Sequence, residues 1–535
     1  MSVGYPRPMN VRGSNVARKI LHNSFWFGLE TILEALVFLG TSIAVARYLG
    51  PQKLGYFSYI NFFVITVTRT SGNGLASATR KYMSEFLALG QPGVARAVYK
   101  VAYRYQLLSA ITVTALGLAA VFLFGDREYR VMSCILMLAI TPGLMSWVPA
   151  QANNAFEDVS KNTLSAFGYI FAYAIIIVLT IIFHWDLIGV ASATLIGRSI
   201  EVVLRTIPLR AKLRTLPLEP LPKDVGRRIR NYCLEAFGVQ LLMSVVWDRS
   251  EIMFLRHYSS LEQIAFYSVS FGLANNLLLI PRTFGAATGI SLMVESSRDP
   301  SRVDSIVKNA CRYLLLVVFP VHLGAAALTA SAIGFAYGPK YAAAVPVLIV
   351  AAILSIPRAF QEIPEILLKA ADRQKRLLFW LSITGVVNIG LDWFLIPRYG
   401  AVGAAWGNGL SLSFGIMLVW QQARRIYRFS FPVGAAIRLF AAGALMACAS
   451  FFIGRAIPGS PGLIAGVAAG IPIYLILVKY FGGLHYSDRI RLAPIGNRLP
   501  EKARQAYLAT VAFVTPKAPC LSPLPSPPST SNKLF

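Results

Sequence analysis

The chain has 535 residues, of which 56% are hydrophobic and only 14% are charged, whereas soluble domains carry about 25% charged residues. This composition excludes an ordinary soluble protein. The formal net charge of +27 does not indicate a nucleic-acid surface, because the basic residues gather on alternate loops between apolar segments. The sequence therefore predicts an all-α polytopic membrane protein without a nucleic-acid partner.

About fourteen apolar segments have the roughly 20 residues that a helix needs to cross a bilayer. In chain order they lie at 24–46, 56–78, 101–124, 131–150, 163–184, 187–208, 233–255, 266–293, 311–336, 342–368, 377–397, 401–421, 435–454 and 461–481. The first segment is not typical of a secretory signal, because it is too long, carries Glu30 and Glu34, and lacks a small-residue cleavage site.

The loops predict the topology. With the amino terminus inside, most lysines and arginines fall on inner loops, so both termini should be cytoplasmic. We expect a cytoplasmic segment at 1–22, a six-helix bundle at 23–208, a basic cytoplasmic linker at 209–232, a second six-helix bundle at 233–422, two further transmembrane helices at 423–481, and a basic, Pro/Ser-rich cytoplasmic tail at 482–535. Residues 515–535 are too polar to form a core and are predicted to be disordered.

The two predicted bundles repeat three short motifs in the same order. The pairs are R-Y-L-G-P-Q-K-L-G-Y-F-S at 47–58 with R-H-Y-S-S-L-E-Q-I-A-F-Y-S at 256–268, R-T-S-G at 69–72 with R-T-F-G at 282–285, and L-I-G-V-A-S-A at 187–193 with A-V-G-A-A-W-G at 401–407. Each bundle has an even number of crossings. The bundles should therefore be related by a pseudo-twofold axis along the membrane normal, with a substrate path between them.

Arginines inside apolar segments are costly and should face a cavity or a partner. The repeat places Arg69 and Arg282 at equivalent depths, where two guanidinium groups could grip a phosphate or pyrophosphate. The following Thr70 and Thr283 could donate to phosphate oxygens. The other interpretation is that each arginine pairs with a helix carboxylate and serves the structure.

Further intramembrane charges extend this candidate site. Arg198 and Arg358 are the additional cations that could contact the substrate. The carboxylates that could couple an ion, or neutralise the arginines, are Glu30, Glu34, Asp248 and Glu251. Glu30 and Glu34 share one helix face and could also be bound in salt bridges to Arg69 or Arg358. The position of Asp248 and Glu251 toward the outer end of the seventh segment favours an outer gate or an interfacial cluster as their role.

Several enzymatic classes lack their motifs here. The sequence contains no G-x-x-x-x-G-K-[ST], no H-E-x-x-H and no nucleophile elbow, and its five cysteines have no metal-ligand spacing. The short outer loops leave no room for an outer catalytic domain. We therefore expect a protein that is not an enzyme, with no catalytic residues, no cofactor and no metal site.

The motif at 46–57 resembles the A-R-x-L-G-p-x-x-x-G-x-[FY] signature of the polysaccharide-transport family. This family contains the Wzx-type flippases and belongs to the multidrug/oligosaccharidyl-lipid/polysaccharide exporter superfamily. The stretches G-x-G-L-x-x-A at 72–78, L-K-A-A-D-R at 368–373 and G-A-V-G-A-A at 400–405 are also similar to that family. The resemblance covers about residues 20–480 and leaves the Pro/Ser-rich tail outside.

The resemblance implies a function and partners. It implies that the chain flips an undecaprenyl-pyrophosphate-linked oligosaccharide across the bacterial inner membrane by alternating access, holding the anionic head in a cationic central cavity. The implied partners are the lipid-linked substrate and membrane lipids, with a polysaccharide polymerase and glycosyltransferases as candidate protein partners. A cation-coupled multidrug exporter and a lipid II flippase of the same superfamily are the alternatives. The former would have a carboxylate-lined cavity and arginines bound in salt bridges.

Overall fold

The structure is a computed structural model that describes residues 13–247, 250–457, 459–484, 486–496 and 500–516. Within these ranges the chain is helical and has no β-strand. From the amino-terminal end the helices are α1 (Gly13–Ala88), α2 (Pro92–Phe124), α3 (Arg130–Leu138), α4 (Ile140–Ala155), α5 (Val159–Phe183), α6 (Asp186–Arg214), α7 (Lys223–Trp247), α8 (Glu251–Tyr258) and α9 (Leu261–Leu277). They continue with α10 (Leu279–Arg298), α11 (Val303–Ala327), α12 (Thr329–Ala336), α13 (Ala344–Leu354), α14 (Glu362–Ala370), α15 (Gln374–Tyr427), α16 (Val433–Ala456), α17 (Ser460–Phe481), α18 (Tyr486–Gly496) and α19 (Glu501–Val514).

The helices confirm an all-α polytopic membrane protein. In the described part of the chain, ten helices are long and apolar enough to cross a membrane, or eleven if the bent pair at 261–285 forms one span. Each predicted segment overlaps a helix. The count of ten is lower than fourteen partly because α1 and α15 each contain two predicted segments, joined across a kink.

Glycines form both kinks. Gly50 has φ +73° and ψ 172° within α1, and Gly400 has φ +53° and ψ −129° within α15. A side chain would be strained at these positive φ values, so glycine is the residue that the kink requires. Pro51 follows Gly50 and fixes the backbone for the first turn of the next helical segment. The motif at 47–58 is therefore a helix-breaking turn between two membrane segments.

The chain divides into two compact units. Unit 1 comprises Met1–Ile280 and Ile333–Arg425, and unit 2 comprises Pro281–Ala332 and Ile426–Phe535. In unit 1, α1 is the central element and packs against α2, α4, α5, α7 and α9. The buried tyrosines Tyr56, Tyr267 and Tyr341 lie in its core. The predicted six-helix bundles describe the sequence repeat and stay a prediction.

Unit 2 packs α11 against α16, and α16 against α17. Three glycines spaced by four residues, Gly462, Gly466 and Gly470, are buried on one side of α17, which is typical of close helix contacts in membranes. Ser450 of α16 donates a hydrogen bond to the carbonyl oxygen of Gly466 at 3.0 Å. The helices α18 and α19 follow within the predicted basic tail, and residues 517–535 of that tail lie outside the described residues.

Candidate functional site

Unit 1 contains a cavity of about 540 Å³, which we call the polar cavity. Its walls come from both segments of α1, from α5, from α9, from Leu279 at the start of α10 and from Tyr337, which follows α12. Its polar lining includes Glu34, Ser58, Asn61, Ser268, Asn275 and Asn276. The walls combine helices from before and after the predicted linker at 209–232, which is where the repeat predicts a substrate path.

The predicted carboxylate pair of α1 lies at this cavity. Among the described residues that line it, Glu34 carries the only full charge. Glu30, one turn earlier, accepts a hydrogen bond from the Thr163 hydroxyl of α5 at 2.8 Å. Glu34 interacts electrostatically with Glu30 and with Arg198 and Glu201 of α6. Glu34 is thus the carboxylate that a ligand in the polar cavity would meet.

Two arginines of α6 hold a buried carboxylate. Glu201 Oε2 lies 2.7 Å from Arg198 Nη1, and Glu201 Oε1 lies 2.9 Å from Arg205 Nη2. The Arg198 guanidinium also lies 4.1 Å from the ring centroid of Tyr169. The predicted substrate-binding Arg198 is therefore engaged within the protein. Arg205 was missed by sequence analysis, although its four-residue spacing from Glu201 was a usable signal.

The first repeated quartet lies on α1. The Arg69 side chain is exposed, whereas Thr70 is buried and its hydroxyl lies 3.2 Å from the Ser244 hydroxyl of α7. A Cβ at Gly72 would lie 3.1 Å from the Leu144 side chain of α4. The glycine of the quartet therefore permits close helix packing in this structure, and the threonine contacts another helix.

The remaining predicted arginines differ in their surroundings. Arg282 and Thr283 lie on α10, and both side chains are exposed. Arg358 lies in a short helical turn, Pro357–Phe360, with its guanidinium 5.9 Å from the ring centroid of Phe271. Arg358 also lines a small space beside Asn408. A joint grip of Arg69 and Arg282 on one phosphate stays a prediction.

A second constellation in unit 1 surrounds two carboxylates, and we call it the buried carboxylate site. Glu251, in the first turn of α8, is 1% exposed, and Asp392 of α15 is fully buried. Asn388 Nδ2 lies 3.3 Å from Glu251 Oε1 and 3.1 Å from Asp392 Oδ2. Asn408 donates to Glu251 Oε1 at 2.7 Å, and Ser411 donates to Asn388 Oδ1 at 2.6 Å. One amide thus joins the two carboxylates.

The buried carboxylate site has unused acceptors. Glu251 Oε2 and Asp392 Oδ1 are buried and have no hydrogen-bond partner among the described residues. Two buried negative charges are costly unless a cation neutralises them. No group of three or more His, Cys, Asp or Glu side chains in the described ranges could hold a metal ion. Two carboxylates with amide and hydroxyl groups suit a proton or a monovalent cation better than a divalent metal.

The sequence identified part of this site. Glu251 was a predicted ion-coupling residue, and Asp248 lies outside the described residues. Asp392, Asn388 and Asn408 were missed. A lone aspartate within the apolar segment 377–397 was a signal for Asp392, but its pairing with Glu251, 141 positions earlier in the numbering, depends on the fold.

Comparison with known proteins gives a family match. The family model described as "Polysaccharide biosynthesis protein" matches residues 106–346. Among curated proteins, no sequence relative matches the chain. The matched range includes α7 to α9 and therefore the helices that carry Glu251 and the second copy of the first motif.

Solved structures share the fold. The lipid II flippase MurJ in an inward closed conformation has a TM-score of 0.67 and 16% identity, and the match covers 87% of this chain and 99% of that one. An inward-facing multidrug resistance MATE family transporter of the MOP superfamily has a TM-score of 0.65 and 13% identity, covering 74% and 94%. A MOP superfamily transporter from Pyrococcus furiosus has a TM-score of 0.54 and 14% identity, covering 81% and 96%.

The fold, the matched family model and the motifs at 46–57, 72–78, 368–373 and 400–405 agree with one another. The matched structures are a lipid II flippase and a multidrug transporter, and at 16% and 13% identity they show the fold that this chain shares. The chain is similar to polysaccharide biosynthesis proteins over residues 106–346, and it shares the fold of the lipid II flippase MurJ and of a MATE family transporter.

Proposed function

We propose that the protein moves an undecaprenyl-pyrophosphate-linked oligosaccharide repeat unit across the bacterial inner membrane for polysaccharide biosynthesis. The polar cavity is the observation that carries this proposal. Its amide and hydroxyl groups, such as Asn61, Asn275 and Ser268, can exchange hydrogen bonds with sugar hydroxyls, and Tyr173 and Tyr337 supply aromatic surfaces. The description of the matched family as polysaccharide biosynthesis proteins supports the same substrate class.

The pyrophosphate needs cations, which the described lining of the polar cavity lacks. We assign this role to Arg69 and Arg282, whose side chains are exposed within unit 1 and unit 2, respectively. The Arg198 guanidinium contacts Glu201 and Tyr169 within the protein. A guanidinium at either position could contact a phosphate bidentately, and the glycan would occupy the polar cavity of unit 1.

Alternating access requires contacts that open at one end while they close at the other. In unit 1, Asn73 of α1 donates to Gln240 of α7 at 2.6 Å, near the end of α1 that is predicted to be cytoplasmic. Near the predicted outer end, Arg47 bonds to the Phe335 and Ala336 carbonyl groups. We infer that these two sets of contacts are gates of the polar cavity.

The buried carboxylate site is the proposed coupling site. Its unused carboxylate oxygens on Glu251 and Asp392 could bind a proton or a sodium ion. Binding there would alter contacts between α8 and α15, because Asn388 and Asn408 of α15 bond to Glu251. Coupling through this site would supply the free energy for transport against a gradient.

A cation-coupled drug exporter is the second candidate. Glu34 is the charged residue among those that line the polar cavity, and Arg198 is bound by Glu201. Both features are what such an exporter predicts. A lipid II flippase is also retained, because MurJ shares the fold. These alternatives differ from the proposal in the ligand, not in the architecture.

Transport by the purified full chain in proteoliposomes would separate these candidates. The three ligands are a short glycan on polyprenyl pyrophosphate, lipid II, and an organic cation. We expect Arg69→Ala and Arg282→Ala each to lower glycan-lipid transport at least about tenfold. The Lys replacements should be intermediate, because a guanidinium can donate two parallel hydrogen bonds to a phosphate and an ammonium cannot. Arg302→Ala is the matched control, since Arg302 is exposed and pairs with the nearby Asp299.

Glu34→Gln gives the opposite test. It should abolish transport of an organic cation if the protein is a drug exporter, because the carboxylate would then bind the substrate. It should leave substantial glycan-lipid transport if sugars are bound by the amides and hydroxyls. Organic-cation transport that depends on Glu34, together with normal glycan-lipid transport in both arginine variants, would refute the proposed function.

A further inference from the structure

A second cavity, of about 570 Å³, lies in unit 1 and is distinct from the polar cavity. It is formed by the second segment of α1, by α2, and by residues of α3 and α4. We call it the apolar groove. Apart from tyrosine hydroxyls, its polar lining side chains are Asp126 and Arg256. Its size and mostly apolar lining are those of a site for a small or chain-like ligand.

Small residues of α2 make room for the groove. Gly117 and Ala120 both line it. Opposite α2, the side chains of Tyr56, Tyr59 and Phe63 from α1 form an aromatic wall. The groove is therefore a space between helices and not a consequence of one missing side chain.

The groove opens toward the side of a membrane-spanning helix. Leu116 and Phe124 line it and are 65% and 86% exposed. Exposed apolar side chains at this depth of a transmembrane helix contact lipid hydrocarbon. A lipid chain can therefore enter the groove from this side.

One end of the groove carries charge. Arg256 Nη2 lies 2.9 Å from Asp126 Oδ2, and the two side chains are 37% and 45% exposed. The Arg256 guanidinium lies 5.7 Å from the ring centroid of Tyr59. An exposed ion pair of this kind contributes little to stability, so a phosphate can replace Asp126 as the partner of Arg256. Asp126 follows the end of α2 and Arg256 lies in the last turn of α8, and both positions are predicted to be on the outer side.

We propose that the apolar groove binds the isoprenoid chain of a polyprenyl phosphate lipid, with the phosphate on Arg256. This inference rests on the proposed function, since it takes the carrier lipid to be the translocated molecule. A single groove with one cationic end suits a single-chain phosphate lipid better than a two-chain phospholipid. Because Arg256 is at the predicted outer end, the groove would hold the carrier after its head group has crossed.

Photolabelling tests this directly. The full chain is purified into lipid nanodiscs with a polyprenyl phosphate that carries a photoreactive group in its chain, and labelled peptides are identified by mass spectrometry. We expect label on α2 near Ala120, and a loss of about tenfold or more in Ala120→Trp, because the indole fills the groove. Leu123→Trp is the matched control, since Leu123 is 75% exposed and does not line the groove.

The charged end needs its own comparison. Arg256→Ala should lower labelling by the polyprenyl phosphate about tenfold, since a charge-assisted contact is lost, and should leave labelling by an uncharged polyprenol unchanged. Photoreactive phosphatidylglycerol should label the groove less than polyprenyl phosphate does. Equal labelling by phosphatidylglycerol, or label that persists in Ala120→Trp, would overturn the proposal.

Transport of the glycan-lipid by the same preparations separates this proposal from the proposed function. In one outcome, the polyprenyl phosphate labels the wild-type protein but not Ala120→Trp, and the wild-type protein transports no glycan-lipid. This outcome would support lipid binding in the groove and refute the proposed function. Active glycan-lipid transport with label spread evenly over the lipid-facing side of α2 refutes the groove alone.

Discussion

The side-chain hydroxyls of Thr70 and Ser244 lie 3.2 Å apart and join α1 to α7. Thr70 belongs to the quartet that the sequence repeats, and a threonine there was expected to donate to a phosphate. In this structure it contacts α7, which begins within the predicted linker at 209–232. Thr70 can donate a hydrogen bond to a substrate phosphate only when its contact with Ser244 is broken. The distance between these two residues therefore indicates whether the proposed inner gate is closed or open.

A disulfide between these positions should lock that gate. With the five native cysteines replaced, Thr70→Cys with Ser244→Cys should form a disulfide on oxidation, because the two hydroxyl oxygens, whose places the sulfur atoms would take, lie only 3.2 Å apart, and a small side-chain adjustment brings two sulfur atoms to the S–S bond length of about 2.05 Å. Transport in proteoliposomes should stop on oxidation and return on reduction. The two single-cysteine variants are the controls. Full transport by the crosslinked protein would mean that α1 and α7 do not separate there.

The buried carboxylate site should control coupling. Asp392→Asn keeps the size of the side chain but removes one of the two buried carboxyl groups that could bind a proton or a sodium ion. We expect this variant to lose the dependence of transport on the sodium or proton gradient while retaining gradient-independent exchange. Flux measured with each gradient imposed separately checks this. Asp299→Asn is a control, because Asp299 lies in an exposed turn.

Asn408→Ala tests whether the hydrogen bond from Asn408 to Glu251 stabilises the buried carboxylate site. Glu251 Oε1 would lose the shorter of its two amide donors and keep only Asn388, and a hydrogen bond to a charged group contributes about 1.5–3 kcal/mol. We expect a lower thermal midpoint and a weakened gradient dependence. An unchanged gradient dependence in both Asn408→Ala and Asp392→Asn would assign Glu251 and Asp392 a purely structural role.

Local sequence patterns were sufficient for the membrane segments, because twenty apolar residues in a bilayer must satisfy their backbone polar groups within a helix. They were also sufficient to find Glu34 and Glu251, as charges in apolar surroundings. They could not pair Glu251 with Asp392, or Thr70 with Ser244. Those contacts join helices that are far apart in the chain, and their formation depends on how the helices pack.

The role of Arg198 was also left open by the sequence, because it depends on which side chains lie near it in the fold. A charge inside an apolar segment requires either a ligand or a partner, and the sequence left both open. In the structure Arg198 has a protein partner, because the two carboxylate oxygens of Glu201 contact Arg198 and Arg205. The spacing within α6 contained that information, whereas the position of Arg69 relative to any ligand has no such local signal.

Glu201→Gln should therefore destabilise unit 1. The carboxylate is 6% exposed and the paired Arg205 side chain is 10% exposed, and breaking a buried pair by removing one partner costs about 3–5 kcal/mol. A lower thermal midpoint of the purified protein in detergent checks this. The double variant Glu201→Gln with Arg205→Met should recover part of the loss, since it no longer buries an unpaired guanidinium. Additive losses in the double variant would contradict the pairing.

Asp488 should hold the first helix of the carboxyl-terminal region in place. In unit 2 it is fully buried, forms an ion pair with Arg312 of α11, and accepts a hydrogen bond from the Tyr313 hydroxyl at 2.8 Å. Asp488→Asn leaves the mostly buried Arg312 without a carboxylate, which costs several kcal/mol, so α18 should detach more often. Trypsin cleavage at Arg489 and Arg491, both exposed, should become about tenfold faster or more, because proteolysis follows the population of the open form.

Comparing the rate of cleavage at those two arginines with glycan-lipid transport shows whether the attachment of α18 to unit 2 is required for transport. If α18 only covers the surface of unit 2, Asp488→Asn will be cleaved faster and will still transport the glycan-lipid. If α18 positions α11, transport will fall together with protection from trypsin. Arg302→Ala provides the matched control on unit 2, since the Arg302 side chain is exposed and pairs only locally in the described structure. Equal cleavage rates in Asp488→Asn and wild type would contradict the anchoring role, because an intact α18 would then not depend on its buried carboxylate.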